Sequence, residues 1–277
     1  MEVYMNNSIV TVSVNSLEDS VMLTKYLKKS KLDSVAITIP TQNSSLSDPN
    51  KRFSSPKYLG EWRHIEDCQS FFEKYNKSNN YAELNLGDYV KIFSRDEDHT
   101  YEWMIAGFDY YEDSFGPGIV FIPIINIGGG IMNSIDFTKG GYYGSDMHVH
   151  LMDLIDGEYN VVSKNIVTDA EPLIMLMSDI QVYGKSVEIN RSEELEAIYK
   201  SDTKYDKEIL PVFKYTDPFK YPEQIPADKR YKYPYFQYFW LRAVASSEAF
   251  AIAYNSGDAY AYYASHSHGL RPLIYLR

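Results

Sequence analysis

Residues 238–277 read YFWLRAVASSEAFAIAYNSGDAYAYYASHSHGLRPLIYLR, and they contain the clearest strand signals in the chain. Large and small side chains alternate over Phe250–Tyr254 and again over Ala259–Ala264, as they do in a strand with two unlike faces. The residues between these runs, Asn255–Asp258, have the chemistry of a tight turn. The pattern therefore predicts a β-hairpin in this stretch.

Two short segments flank the predicted hairpin. Trp240-Leu241-Arg242 precedes it, and Gly269-Leu270-Arg271-Pro272 follows it and leads into a predicted strand over Leu273–Leu276. An arginine fork satisfies buried carbonyl or carboxylate groups that a lysine would not. We therefore interpret five residues as a structural frame: Trp240, Arg242, Gly269, Arg271 and Pro272.

The frame and the hairpin together resemble a known family. A W-L-R element, a hairpin rich in Tyr, Ala, Asn and Ser, a loop of the type A-S-x-S-x-G and a G-[VL]-R-P strand are similar to the C-terminal half of virion proteins from phages of Gram-positive bacteria. These proteins are called head-fibre, decoration or tail-fibre proteins. Further matches occur upstream, in the same order: Gly87-Asp88, Trp103–Phe108, Met132-Asn133, Gly140–Met147 and Ser178–Gly184. The resemblance covers residues 83–277.

The resemblance implies an α+β fold, with a C-type-lectin-like mixed domain over residues 83–277. In such a domain a rigid frame presents a variable face to a partner. The variable positions correspond here to Glu248, Tyr254, Asp258, Tyr260, Tyr262, His266 and His268. Tyr, His and carboxylate side chains stack on sugar rings and bind hydroxyl groups. The implied ligand is a glycan or a protein of a host cell envelope.

The composition is that of a folded globular protein, because 44% of the residues are hydrophobic and 23% are charged. The chain is rich in tyrosine, with 26 residues of this type among 277. Tyrosine has a large apolar ring, a polar tip and few rotatable bonds, so it is favoured in binding faces as well as in cores.

The net charge of −11 is unevenly distributed along the chain. Residues 1–82 have a net charge of +1, so the acidity lies in residues 83–277, which have a net charge of −12. An acidic surface repels phosphate backbones, and no cluster of basic and aromatic residues offsets it. We therefore expect no nucleic-acid partner.

The single cysteine, Cys68, excludes an intramolecular disulfide and any site built from several cysteines. The N-terminal residues have no basic start followed by an apolar run, and no run of about 18 apolar residues occurs. We expect neither export by a standard signal nor membrane insertion. These features suit a virion component that is assembled in the host cytoplasm.

Residues 1–82 are predicted to form a small N-terminal α/β attachment module that contacts other virion proteins of the capsid or tail. Alternation predicts a strand over Ile9–Val14, and a helical stripe follows a capping-box-like start at Ser16. A second strand is predicted over Val35–Ile39, and residues 40–56 are read as a connector.

An amphipathic helix is predicted over Lys57–Lys77, with its apolar residues along one face: Trp62, Ile65, Cys68, Phe72 and Tyr75. We assign this helix to the attachment module, where it would dock on the C-terminal domain or on another subunit. Periodicity alone equally allows a helix that belongs to the same globule as the C-terminal domain.

The lectin-like domain is predicted to begin with strands over Gly87–Ile92, Glu102–Phe108 and Ile119–Ile125. Gly128–Gly130 is read as a bend at a sheet edge, because no Lys-Ser/Thr follows to make a phosphate loop. A buried core helix is predicted from Asp169 to Ile180.

Ser145 is a candidate cap for a helix with an apolar stripe: Met147, Leu151, Leu154 and Ile155. Its other side carries Asp146, His150 and Asp153, which share a helix face and whose residue types bind metals. Because no fourth ligand is visible, we favour an ordinary solvated face. His266 and His268 are a still weaker metal candidate, and we expect no metal and no cofactor.

Residues 185–235 are predicted to form an irregular insert with a helix around Glu193–Tyr199. Long irregular excursions are usually functional or lie along a partner, so we assign the insert to subunit contact and expect a homo-oligomer.

Enzymatic function is not expected. The motifs of serine hydrolases, zinc proteases and phosphate-binding loops are missing, and the six histidines do not define a triad. The calcium-binding triplets of true C-type lectins are absent too, so calcium-dependent sugar binding is not implied. The sequence thus favours a virion structural protein for host adhesion. The alternatives are a bacterial surface or cytoplasmic ligand-binding module of the same fold, or a capsid cement protein.

Overall fold

The computed structural model describes nine parts of the chain: residues 2–6, 9–13, 48–51, 56–76, 81–163, 173–187, 191–215, 238–254 and 258–277. The chain divides into two compact units, residues 1–47 and residues 48–277. None of the described helices is long and apolar enough to cross a membrane.

The described part of the first unit is an antiparallel hairpin of β1 (Glu2–Asn6) and β2 (Ile9–Ser13), in register from Glu2 opposite Ser13 to Asn6 opposite Ile9. The predicted strand beginning at Ile9 is therefore confirmed. Its partner is the segment immediately before it, which had no predicted structure. The predicted helix after Ser16 and the strand over Val35–Ile39 lie outside the described residues.

The second unit is a mixed α+β structure with two mixed sheets. Its remaining strands are β3 (Tyr58–Trp62), β4 (Tyr89–Phe93), β5 (Thr100–Phe108), β6 (Ile119–Pro123), β7 (Gly129–Ile131), β8 (Ile174–Leu176), β9 (Phe239–Val244), β10 (Ala249–Ala253), β11 (Ala259–Tyr263), β12 (Ser267–Gly269) and β13 (Pro272–Leu276). Its α-helices are α1 (Ile65–Asn76), α2 (Glu112–Phe115), α3 (Asp146–Gly157), α4 (Asn160–Ser163), α5 (Asp179–Tyr183), α6 (Glu193–Asp202) and α7 (Pro211–Tyr215). Two short 3₁₀ helices span Pro49–Lys51 and Tyr81–Glu83.

The larger sheet has six strands in the order β3-β4-β5-β6-β13-β8, and only the β3 and β4 pair is parallel. The predicted strands β4, β5 and β6 are all present. Every residue of β6 and β13 is buried, as expected for continuous apolar runs at the centre of a sheet.

The prediction of a core helix ending at Ile180 is wrong in its described part. Leu173–Met177 is buried as expected, but Ile174–Leu176 forms strand β8 beside β13. An apolar run of this length fits a buried strand as well as a buried helix, and pairing with β13 decides between them. The helix α5 begins later, at Asp179, and Ser178 before it makes a capping box with Gln181.

The prediction of a single helix over Lys57–Lys77 is also corrected. Tyr58–Trp62 forms strand β3, which pairs with β4, and only Ile65–Asn76 is helical. The helix packs into the same core, because the Phe71 ring lies 6.1 Å from that of Phe121 in β6. Residues 56–76 therefore belong to the second unit, and not to the N-terminal module to which the sequence pattern assigned them.

The second sheet has five strands in the order β11-β10-β9-β12-β7. The predicted hairpin is confirmed, since β10 and β11 pair antiparallel from Ala249 opposite Tyr263 to Ala253 opposite Ala259. The glycine-rich segment forms the edge strand β7, which is consistent with its predicted position. Strands β9 and β12 run parallel, and the other neighbours are antiparallel.

Two predicted helices are also confirmed. Ser145 caps α3 by accepting a hydrogen bond from the His148 amide, and Met147, Leu151 and Ile155 are buried. The predicted helix at Glu193 is α6, which extends to Asp202.

Candidate ligand-binding site

Trp240, in the middle strand of the five-stranded sheet, contacts two other strands of that sheet. Its indole Nε1 donates to the Gly130 carbonyl oxygen at 2.8 Å, which joins β9 to the edge strand β7. The ring is fully buried and lies 4.6 Å from the His268 ring in β12, between those two strands. A single side chain thus links three strands of the sheet.

Arg242 joins β9 to the helices and to the larger sheet. Its guanidinium donates to the Asp202 carbonyl oxygen at 2.8 Å and to Gln181 Oε1 at 2.9 Å, and also to the Leu176 carbonyl and the Asp206 carboxylate. Both partners of the ion pair are almost completely buried. Burial raises the pKa of Asp206, although the Arg242 charge opposes this shift.

Arg271 and Gly269 fix the return of the chain into the larger sheet. Arg271 is buried, and its Nε donates to the Pro123 carbonyl at 2.9 Å. A Cβ atom on Gly269 would lie 1.7 Å from Asn126 Nδ2 and 2.5 Å from the Tyr238 carbonyl, so no larger residue fits there. Pro272 begins β13 opposite Leu176. These contacts are consistent with the predicted frame.

The strand register brings aromatic residues from four strands to one side of the five-stranded sheet. Ile252 in β10 lies opposite both Tyr260 in β11 and Trp240 in β9, and Phe250 lies opposite Tyr262. Directly opposed residues point to the same side of a sheet. We call this side, together with the ring residues next to it, the aromatic face: Tyr238, Trp240, Tyr254, Tyr260, Tyr262, His266 and His268.

The rings of the aromatic face contact one another in a chain. The Tyr238 and Tyr254 ring centroids are 4.4 Å apart with the planes at 84°, and Tyr260 lies 5.9 Å from Tyr254. Tyr262 lies 4.6 Å from His268 and 5.2 Å from His266. Such edge and tilted contacts are favourable for aromatic rings and reduce the freedom of each side chain.

Exposure increases from the middle of the sheet toward its edge. Trp240, Phe250 and Ile252 are fully buried. Tyr254, Tyr262 and His268 are half-buried, whereas 61% of Tyr260 on the edge strand is exposed. The aromatic face therefore has a rigid buried base and accessible rings along β11.

The exposed charges at the two ends of this hairpin are carboxylates. Asp258 lies across the turn from Tyr254, whose amide donates to the Asp258 carbonyl at 2.8 Å. The Tyr183 hydroxyl also donates to this carbonyl, at 3.0 Å, and so ties α5 to the hairpin. Glu248 is exposed at the opposite end of β10, roughly 20 Å away at the rise of a strand. Asp258, Tyr254 and Tyr260 therefore lie at one end of the hairpin. Glu248, whose carbonyl accepts from the Ala264 amide at 2.8 Å, lies at the other end, toward His266.

Two side chains of the aromatic face, His268 and Tyr238, have shifted pKa values. Burial, with a smaller contribution from nearby His266, lowers the pKa of His268, so its imidazole is neutral at pH 7. The hydrogen bond with Tyr254 raises the pKa of Tyr238, so that phenol also remains neutral. The Tyr238 phenol and the His268 imidazole of the aromatic face therefore carry no charge at pH 7.

The helical trio proposed as a metal alternative does not assemble a site. Asp146, His150 and Asp153 are all exposed, and Asp146 instead accepts a hydrogen bond from the Ser134 amide at 2.9 Å. Among the described residues no group of three or more His, Cys, Asp or Glu side chains is placed to hold a metal.

Sequence reasoning missed Tyr238 as a member of the aromatic face and assigned Trp240 to the frame alone. A signal was present, because residues two apart in a strand point to the same side. Tyr238 precedes Trp240 by two positions, but it lies before the predicted frame, which begins at Trp240, and outside the predicted hairpin.

Comparisons of the chain with protein-family models, with curated proteins and with solved structures find no match. The fold is accordingly described by its own topology, as α+β with two mixed sheets and several helices.

Proposed function

We propose that this chain is a non-enzymatic structural protein of a phage virion, and that its C-type-lectin-like second unit binds a saccharide of the host cell envelope on the aromatic face. The observation that supports the binding role is the cluster of aromatic rings that four strands place on one side of the five-stranded sheet. The ordered sequence resemblance to phage virion proteins supports the location.

The aromatic face suits sugars for chemical reasons. The apolar face of a sugar ring can stack on Tyr260 and Tyr254. The Asp258 carboxylate can accept hydrogen bonds from the sugar hydroxyls, and the phenol groups can donate or accept them. Because the rings already contact one another, little side-chain freedom would be lost on binding. Several weak contacts, repeated in a multimer on a particle, would give strong attachment.

The role of attachment to the particle falls to the first unit. Since the second unit begins at Asp48, we place attachment to capsid or tail proteins in residues 1–47 instead of residues 1–82. The second unit would then be presented outward, with residues 185–235 as a candidate subunit contact.

A glycan array followed by calorimetry tests the binding role. We expect Tyr260→Ala and Tyr262→Ala each to weaken binding about fivefold, since a stacked ring contributes roughly 1 kcal/mol. Tyr58→Ala is the matched control, because Tyr58 is an exposed tyrosine of the other sheet, and it should bind normally. Equal binding by all four proteins would reject the aromatic face as the site.

Cryo-electron microscopy and proteomics of purified particles test the location. The protein should be present at a symmetric position on the particle. Recovery only from the cytosol would reject the virion role and favour a bacterial binding module. Loss of particle stability on deletion, with no envelope ligand found, would favour a cement protein.

A further inference from the structure

We propose that the aromatic face selects a cationic saccharide, one that carries ammonium groups, and that Tyr238, Tyr254, Tyr260 and Asp258 form the ammonium subsite. This inference rests on the proposed saccharide-binding role and specifies the ligand of that site.

The first argument concerns ring geometry at one end of the hairpin. Tyr238 and Tyr254 meet at 84°, and Tyr260 is tilted by 39° from Tyr254, so the three rings do not form one flat stack. Rings in different planes can present faces and edges to one small group. An ammonium group is attracted to ring faces by their negative quadrupole, and clusters of several rings are the usual recognition device for it.

The second argument concerns the formal charge beside these rings. Asp258 is exposed and lies opposite Tyr254, at the position where β10 and β11 meet. Its alternation with Tyr260 and Tyr262 places it on the same side of β11 as those rings. A carboxylate next to exposed rings gives an ammonium group both a counter-charge and a π surface.

The third argument concerns the basic residues that would repel such a ligand. Residues 238–277 contain no lysine, and their arginines are Arg242, Arg271 and Arg277. The first two are buried in the frame, and Arg277 follows β13 in the other sheet. The exposed Asp and Glu side chains of strands β9 to β12 and their turns are Glu248 and Asp258.

Three further titratable groups lie near the subsite: His268, His266 and Tyr183. The His268 ring lies 6.1 Å from the Tyr238 ring and is neutral at pH 7. The His266 ring lies 5.2 Å from the Tyr262 ring. Tyr183 approaches Asp258 from α5. Anionic ligands such as sulfated sugars would meet like charge and are disfavoured.

The test uses two chitin oligomers of equal length, one fully N-acetylated and neutral, the other fully deacetylated and assayed at a pH at which its amines are protonated. We expect the full-length protein to bind the deacetylated oligomer about tenfold more tightly by calorimetry. Asp258→Asn should reduce this preference about threefold. Asp156→Asn removes an exposed carboxylate of α3, outside the aromatic face, and should leave the preference unchanged. Choline chloride should compete, whereas sodium chloride at equal ionic strength should compete less.

The outcomes separate this inference from the proposed function. Equal binding of both oligomers, or tighter binding of the neutral one, with Tyr260→Ala still weakening it, would overturn the cation preference and leave saccharide binding intact. Absence of binding to both oligomers and to every other glycan would overturn both. Circular dichroism melts of Asp258→Asn and Asp156→Asn establish that each variant is folded, as their exposed positions predict.

Discussion

Replacing Arg242 by methionine should strongly destabilise the second unit. The guanidinium donates hydrogen bonds to the Asp202 and Leu176 carbonyls, to Gln181 and to the Asp206 carboxylate. Both side chains of the Arg242–Asp206 ion pair are almost wholly buried. Methionine fills much of the same volume but donates no hydrogen bond. The variant therefore leaves a buried carboxylate without its counter-charge.

The size of the effect follows from that unpaired charge. Removing one partner of a buried ion pair generally lowers the free energy of unfolding by about 3–5 kcal/mol. The two carbonyls that lose a donor add to this loss, though not additively. Since domains are stable by about 5–15 kcal/mol, Arg242→Met should lose at least about 3 kcal/mol and approach the limit of folding.

Urea denaturation followed by tryptophan fluorescence measures this loss. Arg277→Met is the matched control, because Arg277 is exposed and donates only to the Phe115 carbonyl, and it should lose less than about 1 kcal/mol. The double variant Arg242→Met/Asp206→Leu should recover part of the stability, since it buries neither charge. A loss below about 1 kcal/mol in Arg242→Met, or no recovery in the double variant, would refute the view that this ion pair braces the sheet.

Two further predictions concern stability. Burial raises the pKa of Asp202 from 3.8 to about 6, so its favourable contribution is complete below pH 4 and is lost as pH rises through 6. Asp202→Asn should therefore gain roughly 2–3 kcal/mol relative to the parent between pH 4 and pH 7 in urea titrations, and parallel stability profiles would contradict this. Gly269→Ala should lose several kcal/mol or fail to fold because its Cβ would meet Asn126 and the Tyr238 carbonyl, whereas Gly157→Ala at the end of α3 has open space and should be neutral or stabilising. Equal melting temperatures for these two glycine variants would contradict the close packing at Gly269.

The elements that sequence predicted correctly depend on local signals. The hairpin was predictable because alternation and turn residues lie within fifteen positions, and α3 because Ser145 immediately precedes an apolar stripe. The elements that were missed depend on partners far along the chain. Strand β3 forms beside β4, and Ile174–Leu176 becomes a strand beside β13. The apolar residues of each segment fit a helix as well as a strand.

For the candidate site, the sequence predicts which residues share a side of a strand, but the exposure of that side depends on the position of the strand in the sheet. Alternation places Tyr260 and Tyr262 on one side of β11 and Ala259 and Ala261 on the other, but it does not say which side meets solvent. Exposure follows from the position of β11 at the sheet edge, because β10, held between two strands, is buried on both faces. On β11, Ala259 and Ala261 are half-buried on one side, and on the other side Tyr262 is half-buried and Tyr260 exposed.

The structural frame and the aromatic face use different residue types because the first is buried and the second is partly exposed to water. In the frame, Arg242 and Arg271 are buried and donate to main-chain carbonyls, and Arg242 also donates to a buried carboxylate. The face needs rings that tolerate water on one side, and tyrosine meets that need with a hydroxyl at the tip of an apolar ring. Because Trp240 contacts both the edge strand and His268, the same side chain braces the sheet and fixes the rings above it. Under the proposed function, substitutions of the exposed tyrosines should therefore alter ligand binding and leave the protein folded. Substitutions in the frame should abolish both folding and binding.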